Sequence, residues 1–167
     1  TTAVTLSIVD GSSDNAFDPL ADQTVSVTTS DDDSPGISAT ESDGSTTTTE
    51  AGGTDTFTVV LNTQPSSDVV IGIASSDIGE VTVSPDQLTF TSGNWNTAQT
   101  ITASGVDDTT VDGAQNATIT LAVVDTSSDD DYDPVADVTV SVTNTDNDTF
   151  TPPPPTTTTP TTTTTTT

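Results

Sequence analysis

Acidic side chains are the groups in this sequence that could do chemistry, and they lie in four clusters beside short segments of alternating apolar residues. The clusters are Glu50, before Ala51-Gly52-Gly53; Asp77 and Glu80; Asp107, Asp108 and Asp112; and Asp146, Asn147 and Asp148. Calcium takes about six to eight oxygen ligands in a flexible cage, whereas magnesium demands a stricter octahedron. If the fold brings these turns to one end, they predict a calcium site.

The charge balance excludes several functions. The chain of 167 residues has 26 Asp and Glu but no Lys, Arg, His or Cys, and its formal net charge is −26. Binding to nucleic-acid phosphates needs Lys or Arg, and anionic membranes attract basic segments. A Ser-His-Asp triad, a Schiff-base lysine and a thiolate site are impossible without those residue types. No Lys, Arg or His side chain can neutralise carboxylates that face each other in this chain, so at neutral pH we expect a bound cation to do so.

Membrane insertion and catalysis are also not expected. No apolar run approaches the roughly 20 residues that a membrane span needs. Paired carboxylates can hydrolyse glycosides, but they need a concave and partly apolar site. One Trp, one Tyr and four Phe offer few platforms for a sugar. We therefore predict that the protein is not an enzyme.

The apolar residues predict an all-β fold. They make up 29 % of the chain, and they recur at every second position in short runs bounded by Gly, Pro, Asn and Asp. This pattern predicts seven strands and no helix at 37–50 (one strand broken at Asp43-Gly44), 54–62, 69–73, 81–90, 99–106, 117–124 and 138–143. Seven short alternating strands predict a sandwich of two sheets.

An internal repeat organises the chain. Residues 5–33 align without a gap on residues 120–148, with an offset of 115 and identity at 18 of 29 positions. We therefore interpret 1–33 as the last two strands of a preceding repeat, 34–148 as a complete repeat, and 149–167 as a Pro/Thr-rich, disordered linker or stalk.

Three segments together resemble the bacterial Calx-beta-type repeat: 46–65, 75–108 and 133–148. The resemblance implies an immunoglobulin-like Greek-key sandwich that binds calcium at one end and is strung in tandem in surface proteins and adhesins. It also implies a ligand set. The residues that match are Glu50, Asp77, Asp107, Asp108, Asp112, Asp146, Asn147 and Asp148. Asn147 departs from an all-acidic closing triplet, which lowers the ligand charge.

Several alternatives stay open at this point. The acidic clusters could form a solvated rim of the kind found in halophilic proteins. The acidic run at 127–134 is interpreted as a hydrated hairpin loop, because it lacks the Gly and Glu of an EF-hand. Trp95 is expected as a buried lid over the end of the sandwich and not as a sugar platform. The predicted function is a structural or adhesive extracellular repeat at the cell surface, and the alternative is a noncatalytic accessory or carbohydrate-binding module of a secreted enzyme.

The partial repeat at 1–33 predicts partners. A lone two-stranded hairpin is marginally stable in water, so 1–33 needs a partner sheet. Preceding repeats could provide it, or a neighbouring copy could add strands head to tail and build a filament. In both cases Asp31 to Asp33 abut the start of the next repeat, where a cation held by Asp31 and Asp33 would stiffen the junction. Surface glycans are a further expected partner.

Sugar attachment provides the first testable prediction. Asn116 and Asn147 fit the N-glycosylation pattern, with Asn116 preferred, and the Pro/Thr tail has the composition of O-glycosylated stalks, centred on Thr156, Thr157, Thr158 and Thr159. We expect mass spectrometry of native material to find mass above the 16.9 kDa polypeptide that maps to 151–167. An unmodified tail whose amides are protected from exchange would contradict this expectation.

Overall fold

The computed structural model describes residues 2–12, 14–17, 19–30 and 32–153, and they form an all-β structure, as predicted. The strands are β1 (Thr2–Leu6), β2 (Gln23–Val27), β3 (Ile37–Glu41), β4 (Thr46–Thr49), β5 (Thr54–Leu61), β6 (Val69–Ser75), β7 (Val81–Ser84), β8 (Gln87–Phe90), β9 (Gln99–Gly105), β10 (Gln115–Val123) and β11 (Val138–Thr145). Single 3-10 turns lie at Asp10–Ser12, Ser42–Gly44 and Asp125–Ser127. Within the described residues no helix is long and apolar enough to cross a membrane. The chain divides into two compact units at the boundary between Ser34 and Pro35.

The second unit, called the sandwich unit here, contains two sheets. One sheet has the strand order β4-β11-β10-β6-β8 and the other has the order β3-β5-β9-β7. This is the two-sheet sandwich that the alternating pattern predicted, in the immunoglobulin-like Greek-key form that the resemblance implied. Inward side chains alternate along each strand, as at Phe57, Val59 and Leu61 of β5, and they form a continuous core.

The described part of the sandwich unit has nine strands instead of the predicted seven, because two predicted strands divide between the sheets. Segment 37–50 pairs through β3 with β5 and through β4 with β11. It bends at Asp43 and Gly44, which have φ values of 44° and 80°. Segment 81–90 pairs through β7 with β9 and through β8 with β6. Apolar alternation alone does not reveal such a change of sheet.

Asp55 holds the first of these bends. Its Oδ1 accepts hydrogen bonds from the Ser42 hydroxyl at 2.6 Å and from its neighbour Thr56, while its Oδ2 accepts the Thr47 N–H at 2.8 Å. The Ser42 hydroxyl is the largest cause that lowers the pKa of the Asp55 carboxyl. The charged side chain of Asp55 on β5 therefore fixes the bend between β3 and β4, at which the chain passes from one sheet to the other.

The acidic run at 127–134 is an exposed loop only in part, because two of its side chains are buried, which corrects the prediction of a hydrated loop. Asp129 is 4 % exposed and Tyr132 is 1 % exposed. Asp129 Oδ2 accepts the Ser66 N–H, the Ser66 hydroxyl and the Ser67 N–H at 2.7 to 2.8 Å. The Tyr132 hydroxyl donates to the Thr63 carbonyl at 2.6 Å. This connection anchors the end of the sandwich to the turn between β5 and β6. Trp95 packs against the core, as expected for a lid, but its side chain is half-buried and not fully buried.

The first unit is the hairpin of β1 and β2, called the N-terminal hairpin here. It pairs Val4 with Val25. The equivalent residues 115 positions later, Ile119 of β10 and Val140 of β11, pair in the same register. In the hairpin these apolar side chains are exposed, by 48 % at Val4 and 52 % at Val25. Their counterparts Ile119 and Val140 are buried in the sandwich unit.

We predict that Asp129→Ala destabilises the sandwich unit by on the order of 2 kcal/mol, because it leaves buried N–H donors without an acceptor. Chemical denaturation measures the difference. Asp130→Ala removes the same charge from the exposed neighbouring position and is the matched control. Equal effects of the two substitutions would contradict the anchoring role.

The same anchor has a pH signature. The Ser66 hydroxyl, with the N–H groups of Ser67 and Asp131, lowers the pKa of Asp129 from 3.8 to about 2. A lowered pKa in the folded state adds stability above the unfolded pKa and loses it as the pH falls through the folded value. The gap in stability between the wild type and Asp129→Ala should therefore be full above pH 3.8 and close towards pH 2.

Candidate functional site: an acidic cluster at one end of the sandwich

Strand direction brings the acidic turns to one end of the sandwich unit. β4 and β11 run parallel, so the chain leaves both strands at the same end, at Glu50 and at Asp146. β10 is antiparallel to β11, and therefore its beginning lies at that end. In the other sheet the end of β9 faces the beginnings of β5 and β7.

The inward row of side chains becomes polar as it approaches this end. Along β4 the buried positions are Thr46 and Thr48, and on β11 the buried Val140 and Val142 are followed by the fully buried Asn144. The Thr48 hydroxyl donates to Asn144 Oδ1 at 3.0 Å.

Asn144 connects this row to the acidic end. Its Nδ2 donates to Glu80 Oε2 at 3.2 Å and to the Val106 carbonyl at 3.4 Å. The backbone of Gly105 passes so close that a Cβ there would collide with the Thr49 carbonyl and with Asn144 Oδ1. Only glycine allows the two sheets to approach this closely beside Asn144.

Four loops place carboxylate oxygens within reach of a shared ion. Glu50, Asp108 and Asp148 each offer an oxygen within 4.8 Å of the others, and so do Glu80, Asp108 and Asp112. Asp108 belongs to both groups and therefore joins them. The first group opens into a cleft of ≈ 630 Å³. The cleft is lined by Glu50, Ala51, Gly52, Gly105, Asp107, Asp108, Thr109, Asn147 and Asp148.

Two buried oxygens of the first group lack a hydrogen-bond partner: Glu50 Oε1 and Asp148 Oδ2. Glu50 is 1 % exposed, and its other oxygen, Oε2, accepts the Asn147 N–H at 3.3 Å. Buried polar atoms are nearly always paired, and an unpaired one indicates a ligand, an ion or a water. The orphaned oxygens therefore mark the position where a cation would be held.

The electrostatics of the first group oppose its own ionisation. Burial raises the pKa of the Glu50 carboxyl, and the charges of Asp146, Asp108 and Asp112 raise it further. The Asn147 N–H acts in the opposite direction. Burial likewise raises the pKa of Asp148. The chain contains no Lys, Arg or His that could neutralise these carboxylates.

Asp146 plays a different part from its neighbours. Its Oδ1 accepts the Asp148 N–H at 2.6 Å, and its Oδ2 accepts the Gly113 N–H at 2.7 Å. These bonds lower the pKa of Asp146 and so favour its charged form. Asp146 ties the loop after β9 to the chain after β11 and so positions Asp112 near Asp148.

The structure brings together most of the predicted ligands but not Asp77. Its side chain is exposed and its Oδ1 accepts the Gly79 N–H at 2.9 Å in its own turn. Asp107 and Asn147 line the cleft, joined by a bond of 3.4 Å from Asn147 Nδ2 to Asp107 Oδ1. Asp33 belongs to the first unit.

The remaining predicted positions are Asp31, four threonines of the tail and Asn116. Asp31 and Thr156, Thr157, Thr158 and Thr159 lie outside the described residues. Asn116 lies exposed on β10, and its Oδ1 accepts the Thr143 hydroxyl at 2.9 Å.

Two residues of this end are missing from the ligand set that the resemblance implied, although Glu80 belongs to one of the four acidic clusters. Glu80 takes the place that was expected for Asp77, since it directly precedes β7 and its carboxylate joins Asp108 and Asp112. Asn144 was missed, although a sequence signal exists for it. It interrupts the inward series Val138, Val140 and Val142 with a polar side chain at a buried position.

The residues present fit a hard divalent cation. All the candidate ligand atoms are oxygens, they come from turns that follow or precede several strands, and two of them are buried without partners. Calcium accepts such irregular oxygen cages, whereas magnesium needs near-ideal octahedral geometry and keeps its waters.

Comparisons with known proteins show likeness to solved structures only. No protein-family model matches the sequence, and no curated protein matches it. The apo form of the Calx CBD1 domain aligns with a TM-score of 0.47 and 17 % identity over 67 % of this chain and 98 % of that chain. SSP-19, an MSP-domain protein of Caenorhabditis elegans, aligns with a TM-score of 0.43 and 16 % identity over 60 % of this chain and 94 % of that chain. Domains 1–6 of the surface layer protein SbsC align with a TM-score of 0.45 and 19 % identity, over 75 % of this chain and 15 % of that chain. At such identities these likenesses say nothing about the ligands or partners of this chain.

We predict that Glu50→Gln raises the melting temperature of the metal-free protein by a few degrees, because it removes a buried charge that neighbouring carboxylates repel. Glu41→Gln makes the same chemical change outside both groups and should have no such effect. Because the folded pKa of Glu50 is raised, the advantage of the variant should shrink as the pH falls through that pKa and the wild-type carboxyl becomes neutral. An unchanged or lower melting temperature for Glu50→Gln in chelator would show that the carboxylate is not strained.

Proposed function

We propose that this chain is a noncatalytic structural repeat of the Calx-beta type, held rigid by calcium at the acidic end of its sandwich, in an extracellular or cell-surface protein. The observation that carries the proposal is the buried Glu50 with its unpartnered Oε1, beside the equally unpartnered Oδ2 of Asp148. Because no cationic side chain is available to the buried Glu50 carboxylate, a cation from solution would have to neutralise it.

A cation here would bridge parts of the chain that are far apart in sequence. Glu50 follows β4, Asp108 follows β9 and Asp148 follows β11. One ion held by these three residues would tie both sheets together at the end where the chain leaves the sandwich. Because Asp108 also belongs to the second group with Glu80 and Asp112, a second ion beside the first would share that ligand.

An extracellular setting supports calcium as the cation. Extracellular calcium modules work at dissociation constants of about 0.1 to 1 mM, which suits partly exposed carboxylate cages. The absence of cationic side chains and Cys, together with a net charge of −26, is compatible with that setting. In a tandem array, ions at the ends of successive sandwiches would limit bending and produce a stiff structural element.

Thermal unfolding in calcium and in chelator tests the proposal. A ligand that binds only the folded state adds about 2.7 kcal/mol at a hundredfold excess over its dissociation constant. We therefore expect chelator to lower the melting temperature by several degrees. Asp108→Asn, which alters the carboxylate that both groups share, should abolish the difference.

Asp137→Asn is the matched control, since it removes one exposed Asp outside both groups. It should keep the full response to calcium. A wild-type protein that melts identically in calcium and in chelator would disprove the calcium assignment. A response to magnesium as large as the response to calcium would disprove the choice of cation.

A further inference from the structure

The exposed apolar face of the N-terminal hairpin has an internal template in the same chain. With the offset of 115, its Val4, Leu6, Val25 and Val27 correspond to Ile119, Leu121, Val140 and Val142. The hairpin residues are 46 to 58 % exposed, whereas their counterparts are at most 4 % exposed. The sandwich unit therefore shows what covers such a face: the strands β4 and β6 on either side and the opposite sheet of β3, β5, β7 and β9.

The loop of the hairpin repeats the local geometry of the anchor at Asp129. The Phe17 N–H donates to the Asp14 carbonyl at 2.9 Å, and the Tyr132 N–H donates to the Asp129 carbonyl at 2.8 Å. The Ala16 N–H donates to Asp14 Oδ1 at 2.9 Å, as the Asp131 N–H donates to Asp129 Oδ1 at 3.1 Å. The loop is thus already shaped as an anchor.

The two loops differ in what they contact. Asp129 Oδ2 lies in the turn of Ser66 and Ser67 and is buried there. Asp14 is exposed, and its neighbour Phe17 is 53 % exposed. An aromatic side chain and a preformed carboxylate loop next to an apolar sheet face make a docking surface and not a solvated edge.

We propose that the N-terminal hairpin completes a second sandwich by docking on seven strands equivalent to β3–β9, which precede it in the same polypeptide, with Asp14 as the anchor to a turn like that of Ser66 and Ser67. Phe17 fills the place that Tyr132 fills in the sandwich unit. This inference rests on the repeat and on hydrogen-bond geometry, and it does not depend on the proposed calcium site.

Two observations favour strands in the same polypeptide over a second copy of this chain. In each copy β10 and β11 already cover the sandwich core. Because they are tethered to that core, they compete with the N-terminal hairpin of another copy at an effective concentration of about millimolar. In addition, each copy carries a net charge of −26, so that two copies repel each other over their whole surfaces.

The test restores the missing strands. Residues 35–115 are joined directly to residue 1 of the full chain, which preserves the offset of 115. Hydrogen exchange then reports the amides of β1 and β2. We expect them to be weakly protected in the unextended chain and to gain protection by about a hundredfold or more in the extended chain, to the level of β10 and β11.

Substitutions identify the anchor. In the extended chain Asp14→Ala should lower the stability of the restored repeat as much as Asp129→Ala lowers that of the sandwich unit. Asp22→Ala, at another exposed Asp of the hairpin, should not. In the unextended chain Asp14→Ala should change nothing measurable, which separates docking from a merely local role of the loop.

Three results would overturn the proposal. The hairpin could stay unprotected in the extended chain. It could already be protected in the unextended chain as a monomer in size-exclusion chromatography. Protection in the unextended chain that rises with concentration, together with larger species, would show that a second copy is the occupant.

Discussion

The parallel pairing of β4 with β11 is the contact on which the acidic end depends. It places Glu50 and the segment 146–148 side by side, although they are almost a hundred residues apart in sequence, and the Glu50 N–H donates to the Thr145 carbonyl at 3.1 Å. The pairing exists because the chain leaves the sheet of β3 at Asp43 and Gly44 and continues in the other sheet as β4. Without that crossing, Glu50 would follow β3 in the opposite sheet and no cleft would form between it and Asp148.

The charge composition makes this geometry costly for the protein alone. In most proteins a buried carboxylate is paired with Arg, Lys or His, or it accepts several N–H groups. This chain has no cationic side chain, and Glu50 accepts one long hydrogen bond from Asn147. Binding of a cation would then be coupled to stability, because the ion would remove a repulsion that the fold itself creates. The same coupling would make the rigidity of this end depend on the concentration of that ion.

The sequence predicted the fold class because alternation is a local property. Each run such as Val138, Val140 and Val142 places its side chains on one face regardless of what lies opposite. The change of sheet within 37–50 and within 81–90 could not be predicted in the same way, since it depends on which strand accepts the hydrogen bonds. For the same reason the sequence could not show which of Asp77 and Glu80 belongs to the acidic cluster. Both follow β6, but only the position directly before β7 is carried into the cluster.

Asp129 and Glu50 show why acidic clusters cannot be interpreted from composition alone. Both are buried carboxylates in the same sandwich unit, with exposures of 4 % and 1 %. Asp129 accepts hydrogen bonds from donors in the turn at Ser66, and its pKa is lowered to about 2. Its negative charge is therefore stabilised by groups of the protein itself. Glu50 has few donors and many acidic neighbours, and its pKa is raised. The difference lies in the hydrogen-bond donors that the fold supplies to each carboxylate. A carboxylate that accepts its full set of N–H and O–H donors is satisfied within the fold, whereas one that is buried without them would need a ligand from outside the chain.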